Sequence, residues 1–296
     1  MPSAQRDHHL NEIEVTDLDD PGLEGVLAPY RNQKDAWLRV QQQGGTGLCE
    51  GLFLAEGELV VRTLVESPHR VVSVLCTPTR LEGMRACLAQ LPAETPVLVA
   101  GRRVVERIVG FDMHRGILAL GQREKPPTAE DLLTRARVVV VCEDLANHDN
   151  LGAVFRNVAC LVGAGVGVEA EGPIPAAVLL SPGCCDPLYR KSLRVSMGHV
   201  LRVPFARVEE WPRGLDRLRK AGFVTLALTP RRGAMDLGKL EHNPNNRLAV
   251  LVGAEGPGLS EGVLAAADQW VRIPMAAGAD SLNVATALAV VLARVG

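Results

Sequence analysis

The 296-residue sequence predicts an α/β chain in two parts, the second built on a parallel sheet, and three observations carry that reading. Through the C-terminal half, short strand-like runs alternate with amphipathic helical segments, the pattern of repeated strand–helix units. Those runs are apolar almost throughout instead of alternating, so both faces of their sheet are to be covered by helices. Between the halves, REKPPTAEDL sets Pro126-Pro127 among charges, a linker signal, and the length suits two domains of roughly 100–200 residues each.

Taken in order, residues 1–20 are rich in acids and read as a flexible tail. Residues 21–122 form a smaller α/β domain. Here LFLAEGELVVRTLVES reads as a strand turning into a helix, and VVSVLCT, PVLVAG and ILALG read as strands. Residues 123–131 are the linker, leading into helix-friendly AEDLL. From 132 to 296 the predicted strands are 138–142, 165–169, 199–205, 223–228, 247–253 and 269–275. Helical segments LGAVFRNVACLVG, PLYRKSLRVSMG, EEWPRGLDRLRKAG and LSEGVLAAA stand between them, and SLNVATALAVVLARVG closes the chain. In such sheets ligands bind outside the carboxyl ends of the strands.

Composition narrows the function. With 47 % apolar and 22 % charged residues, the chain has a packed core and is not broadly disordered. Aromatics are 3 %, which argues against a base-stacking platform of many rings. A net charge of −2 excludes a uniformly basic protein, yet residues 190–220 hold nine Lys/Arg against three acids. Such a run is either a solvated face or an anion-binding patch, and Arg102, Arg103 and Arg107 are further candidate phosphate contacts. Seven cysteines without a CxxC pair fit a reducing cytoplasm and no structural zinc. No apolar run approaches about 18 residues, so no membrane span is expected. GAGVGVEAEG lacks the third glycine of a dinucleotide fingerprint, and His8-His9 lack companions for a metal site.

Three loops at strand ends carry the chemistry. In NLGAVFRNVA, Asn150 stands where a helix begins and can cap it. Leu151, Val154, Phe155, Val158 and Val162 make a buried stripe, while Gly152, Arg156, Ala159 and Gly163 fall about 100° away. On that second stripe Arg156 is the one large side chain. Small neighbours let another backbone or subunit come close, with the guanidinium filling what space remains. Equally, the stretch reads as a cap and a solvent-facing arginine. LVGAEGPGLSE ends a strand in glycines that admit a ligand close to the backbone; Glu255 is the one charge in the loop, and Ser260-Glu261 opens a helix. The plain alternative is a tight turn. In IPMAAGADSLNVATALAVV, Ser281 is a plausible N-cap, and Asn283 lies in the first turn of an apolar helix, where a buried amide needs partners.

Together and in this order, Asn-x-Gly-xxx-Arg, Gly-x-Glu-Gly-x-Gly-Leu and Ile-Pro-Met…Ser-Leu-Asn-Val closely resemble the three motifs of the SpoU (TrmH-like) RNA 2′-O-ribose methyltransferases of the SPOUT superfamily, across about residues 137–296. RKSLRVSMGHVLRVPF is similar to that family's segment between the first two motifs. LFLAEGELVVRTL and FDMHRGILALG resemble, more loosely, the small RNA substrate-binding domain often fused ahead of it. The resemblance implies a C-terminal trefoil knot, an exception to unknotted topology. It also implies a homodimer through the C-terminal domain, S-adenosylmethionine as cofactor, and methylation of a ribose 2′-hydroxyl in RNA, ribosomal sooner than transfer. Carried over by position, Gly253, Ile273 and Leu282 would hold the cofactor, with Leu228, Thr229 and Met275 lining its pocket. Asn150, Arg156, Glu255, Ser281 and Asn283 correspond to the active-site polar residues. Two departures are visible: Ala277 stands where the family usually has glycine, at a cost of about 1 kcal/mol if that position needs a positive φ, and Ala285 replaces a frequent serine.

A ribose hydroxyl is a poor nucleophile, so the chemistry needs alignment and a partner for the developing negative charge. A guanidinium with a pKa above about 12 does this without losing its proton, which assigns Arg156 to steering a phosphate and stabilising an alkoxide sooner than to acting as base. The rival reading is a catalytically silent RNA-binding or ribosome-assembly homologue that keeps the same motifs without turnover.

Overall fold

The computed structural model describes residues 10–31, 51–110, 115–164, 172–241, 243 and 246–295. It divides into two units, one of residues 1–125 and 188–201, the other of 126–187 and 202–296. His8, His9 and the predicted strand at 165–169 lie outside the described residues.

In the first unit the elements run β1 (Asn11–Glu14), α1 (Glu24–Leu27), β2 (Leu52–Glu56), α2 (Glu58–Val65), β3 (Val71–Cys76), α3 (Pro78–Leu88), β4 (Pro96–Val99), α4 (Arg102–Val109) and β5 (Ile117–Gln122). The sheet order is β1-β4-β3-β5-β2. Strands β1, β4 and β3 are parallel, whereas β5 runs antiparallel to both β3 and β2. Strand β1 corrects the expectation of a tail through residue 20. Its NEIE sequence pairs with Pro96–Val99 at the sheet edge, where polar side chains face water and only Ile13 packs inward. An acidic edge strand carries no hydrophobic alternation, so its sequence looks like a tail.

The second unit begins with α5 (Ala129–Arg135), opened by a capping box in which the Thr128 side chain accepts from Asp131 N–H and Asp131 answers with its carboxylate. The linker is therefore shorter than 123–131, because the units part between Lys125 and Pro126. There follow β6 (Ala136–Cys142), α6 (His148–Leu161), β7 (Ile174–Leu180), α7 (Arg190–Val195), β8 (Phe205–Arg207), α8 (Asp216–Lys220), β9 (Phe223–Leu228), β10 (Met235–Asp236), β11 (Arg247–Val252), α9 (Glu261–Ala266), β12 (Gln269–Arg272) and α10 (Val284–Val295). All seven strands are parallel, in the order β10-β12-β9-β11-β6-β7-β8. Helix α7 belongs to the first unit, where Arg194 pairs with Glu56, so the expected continuous block from 132 to 296 is interrupted.

Two predicted strands change. Residues 199–205 form a 3-10 turn at His199–Leu201 with a strand only from Phe205, and the last strand ends at Arg272 instead of 275. Strand β7 was not expected at all: IPAAVLL carries a proline, two alanines and few β-branched residues, so its propensity signal is weak. Burial decides it, since Ala176, Ala177 and Val178 are fully buried between β6 and β8. Among the described residues no helix is long and apolar enough to cross a membrane.

Candidate active site

Because the strands are parallel, their carboxyl ends open on one edge, and the order β12-β9-β11-β6 makes the loops that follow them neighbours. A cavity of about 610 Å³ lies there. Its walls are Leu228 to Arg231 after β9, Val252 to Leu259 after β11, Val271 to Ile273 with Met275 after β12, and Ser281 to Val284 leading into α10. Nine of the eleven residues singled out above line it: Leu228, Thr229, Gly253, Glu255, Ile273, Met275, Ser281, Leu282 and Asn283.

The glycine loop takes its shape from backbone constraints. A Cβ at Gly253 would lie 2.3 Å from the Gly258 carbonyl, so no larger residue fits. Gly256 and Gly258 have φ of 88° and 71°, where side chains are strained, and Gly258 N–H closes the loop on the Ala254 carbonyl at 3.0 Å. Gly278, with φ 87°, is the left-handed residue of the third loop. Ala277 is not among the positive-φ residues, so the cost expected for alanine there does not arise.

One side chain joins all three motifs. Asn283 Nδ2 donates to Asn150 Oδ1 at 2.9 Å and to Glu255 Oε1 at 3.0 Å, across 133 and 28 positions of sequence. Its Oδ1 accepts from the N–H groups of Ala285 and Thr286. Asn283 is therefore the cap of α10, the role expected of Ser281. Asn150 is likewise not the cap of α6; Asn147 Oδ1 takes the Asp149 N–H at 2.8 Å, and Asn150 is buried in the first turn. Seven residues on, and so on the same helical face, Asn157 Nδ2 donates to the Ala285 carbonyl at 2.7 Å. Sequence reading missed Asn157, although its spacing from Asn150 was available.

Arg156 is placed differently. It is exposed on α6, one position round the helix from the face that Asn150 and Asn157 present, and it does not line the cavity. Within a single copy of the chain, among the described residues, no hydrogen bond or ion pair engages it. The expectation that Arg156 joins the other motif residues is not met inside one subunit.

Glu143, at the end of β6, was also missed. The residue is 4 % exposed, and its carboxylate accepts from Ser260 N–H and Ser260 Oγ at 2.7 Å each and from Trp211 Nε1 at 2.8 Å. It thus pins the far end of the glycine loop, where Ser260 caps α9. The acid Asp144 follows directly, so nothing in the local sequence singles Glu143 out. The basic run at 190–220 is less free than its count suggests: Arg194, Arg217 and Arg219 pair with Glu56, Glu130 and Asp268, and Arg207 donates to four carbonyls between Ser181 and Cys185.

The model of the SpoU rRNA Methylase family matches residues 137–293. A tRNA/rRNA methyltransferase of Mycobacterium bovis, itself uncharacterized, is 39 % identical over 97 % of this chain and 92 % of its own length; one from Mycobacterium tuberculosis is equally similar. Among solved structures, the AdoMet-bound rRNA methyltransferase from Sinorhizobium meliloti superposes with a TM-score of 0.70 at 22 % identity, covering 96 % of this chain and 97 % of that one. The SpoU methyltransferase AviRb from Streptomyces viridochromogenes gives 0.68 at 18 % identity, over 92 % and 96 %.

Proposed function

The chain belongs to the SpoU rRNA methylase family, and on that premise we propose that it transfers a methyl group from S-adenosylmethionine to a ribose 2′-hydroxyl of RNA, ribosomal sooner than transfer. The observation that carries the reading is Asn283, whose amide binds the first motif through Asn150 and the second through Glu255 while capping the third motif's helix.

The cavity fits the cofactor. Its volume lies within the range of roughly 300–1,000 Å³ usual for small-molecule sites, and Leu228, Val252, Val271, Ile273 and Leu282 give it apolar walls. Among the described lining residues Glu255 is the one carboxylate, suited to a site that receives a sulfonium cation. Backbone groups at Gly253, Ile273 and Leu282 would hold the adenosine, with Thr229 and Met275 beside them. When bound, S-adenosylmethionine supplies an electrophilic methyl group. Everything else falls to the protein: Asn150 and Asn283 fix a chain of amide dipoles, Glu255 is held in place by that chain, and Ser281 adds a hydroxyl at the rim.

Arg156 takes the remaining role from a second copy of the chain. Helices α6 and α10 pack on each other and leave Leu161 38 % and Val290 41 % exposed, apolar side chains that support a homodimer through this unit. Across that interface Arg156 steers the target phosphate and stabilises the incipient alkoxide, remaining protonated throughout. A knotted C-terminal segment, the first unit as a substrate-RNA binder and a cytoplasmic setting belong to the same proposal. The unpaired cysteines Cys76, Cys87, Cys142, Cys160, Cys184 and Cys185 support a reducing compartment.

The test is tritium transfer from labelled S-adenosylmethionine to ribosomal RNA with wild type and Arg156→Lys. Loss of one preorganised donor at developing charge lowers kcat by about 10²-fold or more. Full activity of Arg156→Lys would refute the planar, two-pronged role, and no transfer by wild type would leave the silent RNA-binding reading.

A further inference from the structure

We propose that Arg231 is the specificity residue for the α-carboxylate of the cofactor's amino-acid end, and that Glu261 holds its place until the cofactor arrives. This rests on the reading of the cavity as an S-adenosylmethionine site.

Among the described residues two guanidiniums line the cavity, those of Arg231 and Arg272. They differ in what holds them. Arg272 Nε donates to Asp236 Oδ1 at 2.5 Å, and those two residues are register partners of the parallel pair β10 and β12, so the sheet itself fixes the contact. Arg231 lies on the loop after β9, and its Nη1 meets Glu261 Oε1 at 2.6 Å with side chains 42 % and 78 % exposed. Glu261 is the first residue of α9, immediately beyond the glycine loop. The pair therefore ties two walls of the cavity together, the loop after β9 and the loop after β11, through an ion pair exposed enough to contribute little to stability.

Such a pair exchanges partners readily. A carboxylate delivered into the cavity offers Arg231 the same planar acceptor in drier surroundings, where a charge-assisted bond is stronger. The lining also carries the complementary group, the carboxylate of Glu255. A guanidinium and a carboxylate in the lining of one cavity match the zwitterion of an α-amino acid, and Arg231 is the cation free to leave its present partner.

The experiment is calorimetric titration of wild type, Arg231→Gln and Glu261→Gln with two probes, S-adenosylmethionine and its decarboxylated analogue. Arg231→Gln is expected to weaken S-adenosylmethionine about tenfold while binding the analogue as well as wild type or better, and Glu261→Gln to tighten S-adenosylmethionine several-fold by removing the competitor. Equal effects of Arg231→Gln on both probes, or none on either, would overturn the assignment while leaving the cofactor site standing. Failure of wild type to bind S-adenosylmethionine would overturn the cofactor reading and this inference with it.

Discussion

Asn283 uses its whole amide group: both hydrogens and the oxygen are engaged, on three segments. Asn283→Ala removes a helix cap, worth about 1 kcal/mol, and also frees Glu255 and leaves the buried Asn150 oxygen without its donor. The expected outcome is a small drop in melting temperature with a much larger loss of methyl transfer; a variant that melts earlier yet keeps its activity would reduce Asn283 to a cap. Much of the site was legible at this scale, because glycine, proline and asparagine at strand ends have few physical uses. The partners were not. Ser281 and Asn150 looked like caps from their positions, and only the three-dimensional turn shows that Asn283 and Asn147 do that work. Glu143 had to be found by burial, since nothing local distinguishes a clamping glutamate from a solvated one.

At the scale of elements, polar clamps hold the amino ends of neighbouring strands. At the amino end of β11, Arg247 donates to the carbonyls of Ala136 and Ala221, and also to that of Leu133, and lies 4.2 Å over the Phe223 ring. Arg247→Met leaves those carbonyls unpaired and is expected to cost about 3 kcal/mol, read by denaturant unfolding. A second clamp joins β9 to the start of β12. Burial acts to raise the Asp268 pKa, but hydrogen bonds from Thr225 N–H and Oγ1, with Arg219 nearby, outweigh it and hold the carboxyl below its ordinary value. A depressed folded pKa means stability present above the unfolded value, about 3.9, and lost as pH falls through the folded one. The stability gap between wild type and Asp268→Asn should therefore shrink from about pH 6 to about pH 3; a gap independent of pH would show that the carboxylate's charge plays no part. Strong apolar runs such as VVVVC and RLAVLV announced their strands, whereas β7 and β1 did not: one is alanine-rich, the other an acidic edge, and each is a strand because its neighbours supply the pairing.

For the whole molecule, the exposed position of Arg156 makes a second copy part of the proposed mechanism. Mixing Arg156→Ala with Asn283→Ala chains, each inactive alone, should restore part of the activity, since one site of each mixed dimer is complete; mixtures as inactive as their components would confine both residues to one subunit. Affinity for RNA is expected to fall with salt, as phosphate contacts require. The slope should be shallower than nine basic residues imply, because Arg194, Arg217 and Arg219 are already paired with acids. The two-part α/β layout was readable from linker and periodicity. The assignment of α7 to the first unit was not, since contact between distant segments leaves no mark in a linear pattern.

The most direct test is nucleoside analysis of ribosomal RNA incubated with the purified protein and S-adenosylmethionine. The account predicts one 2′-O-methylnucleoside, absent when Asn283→Ala replaces wild type. A methyl group found on a base, or transfer that persists undiminished without the Asn283 amide, would contradict it.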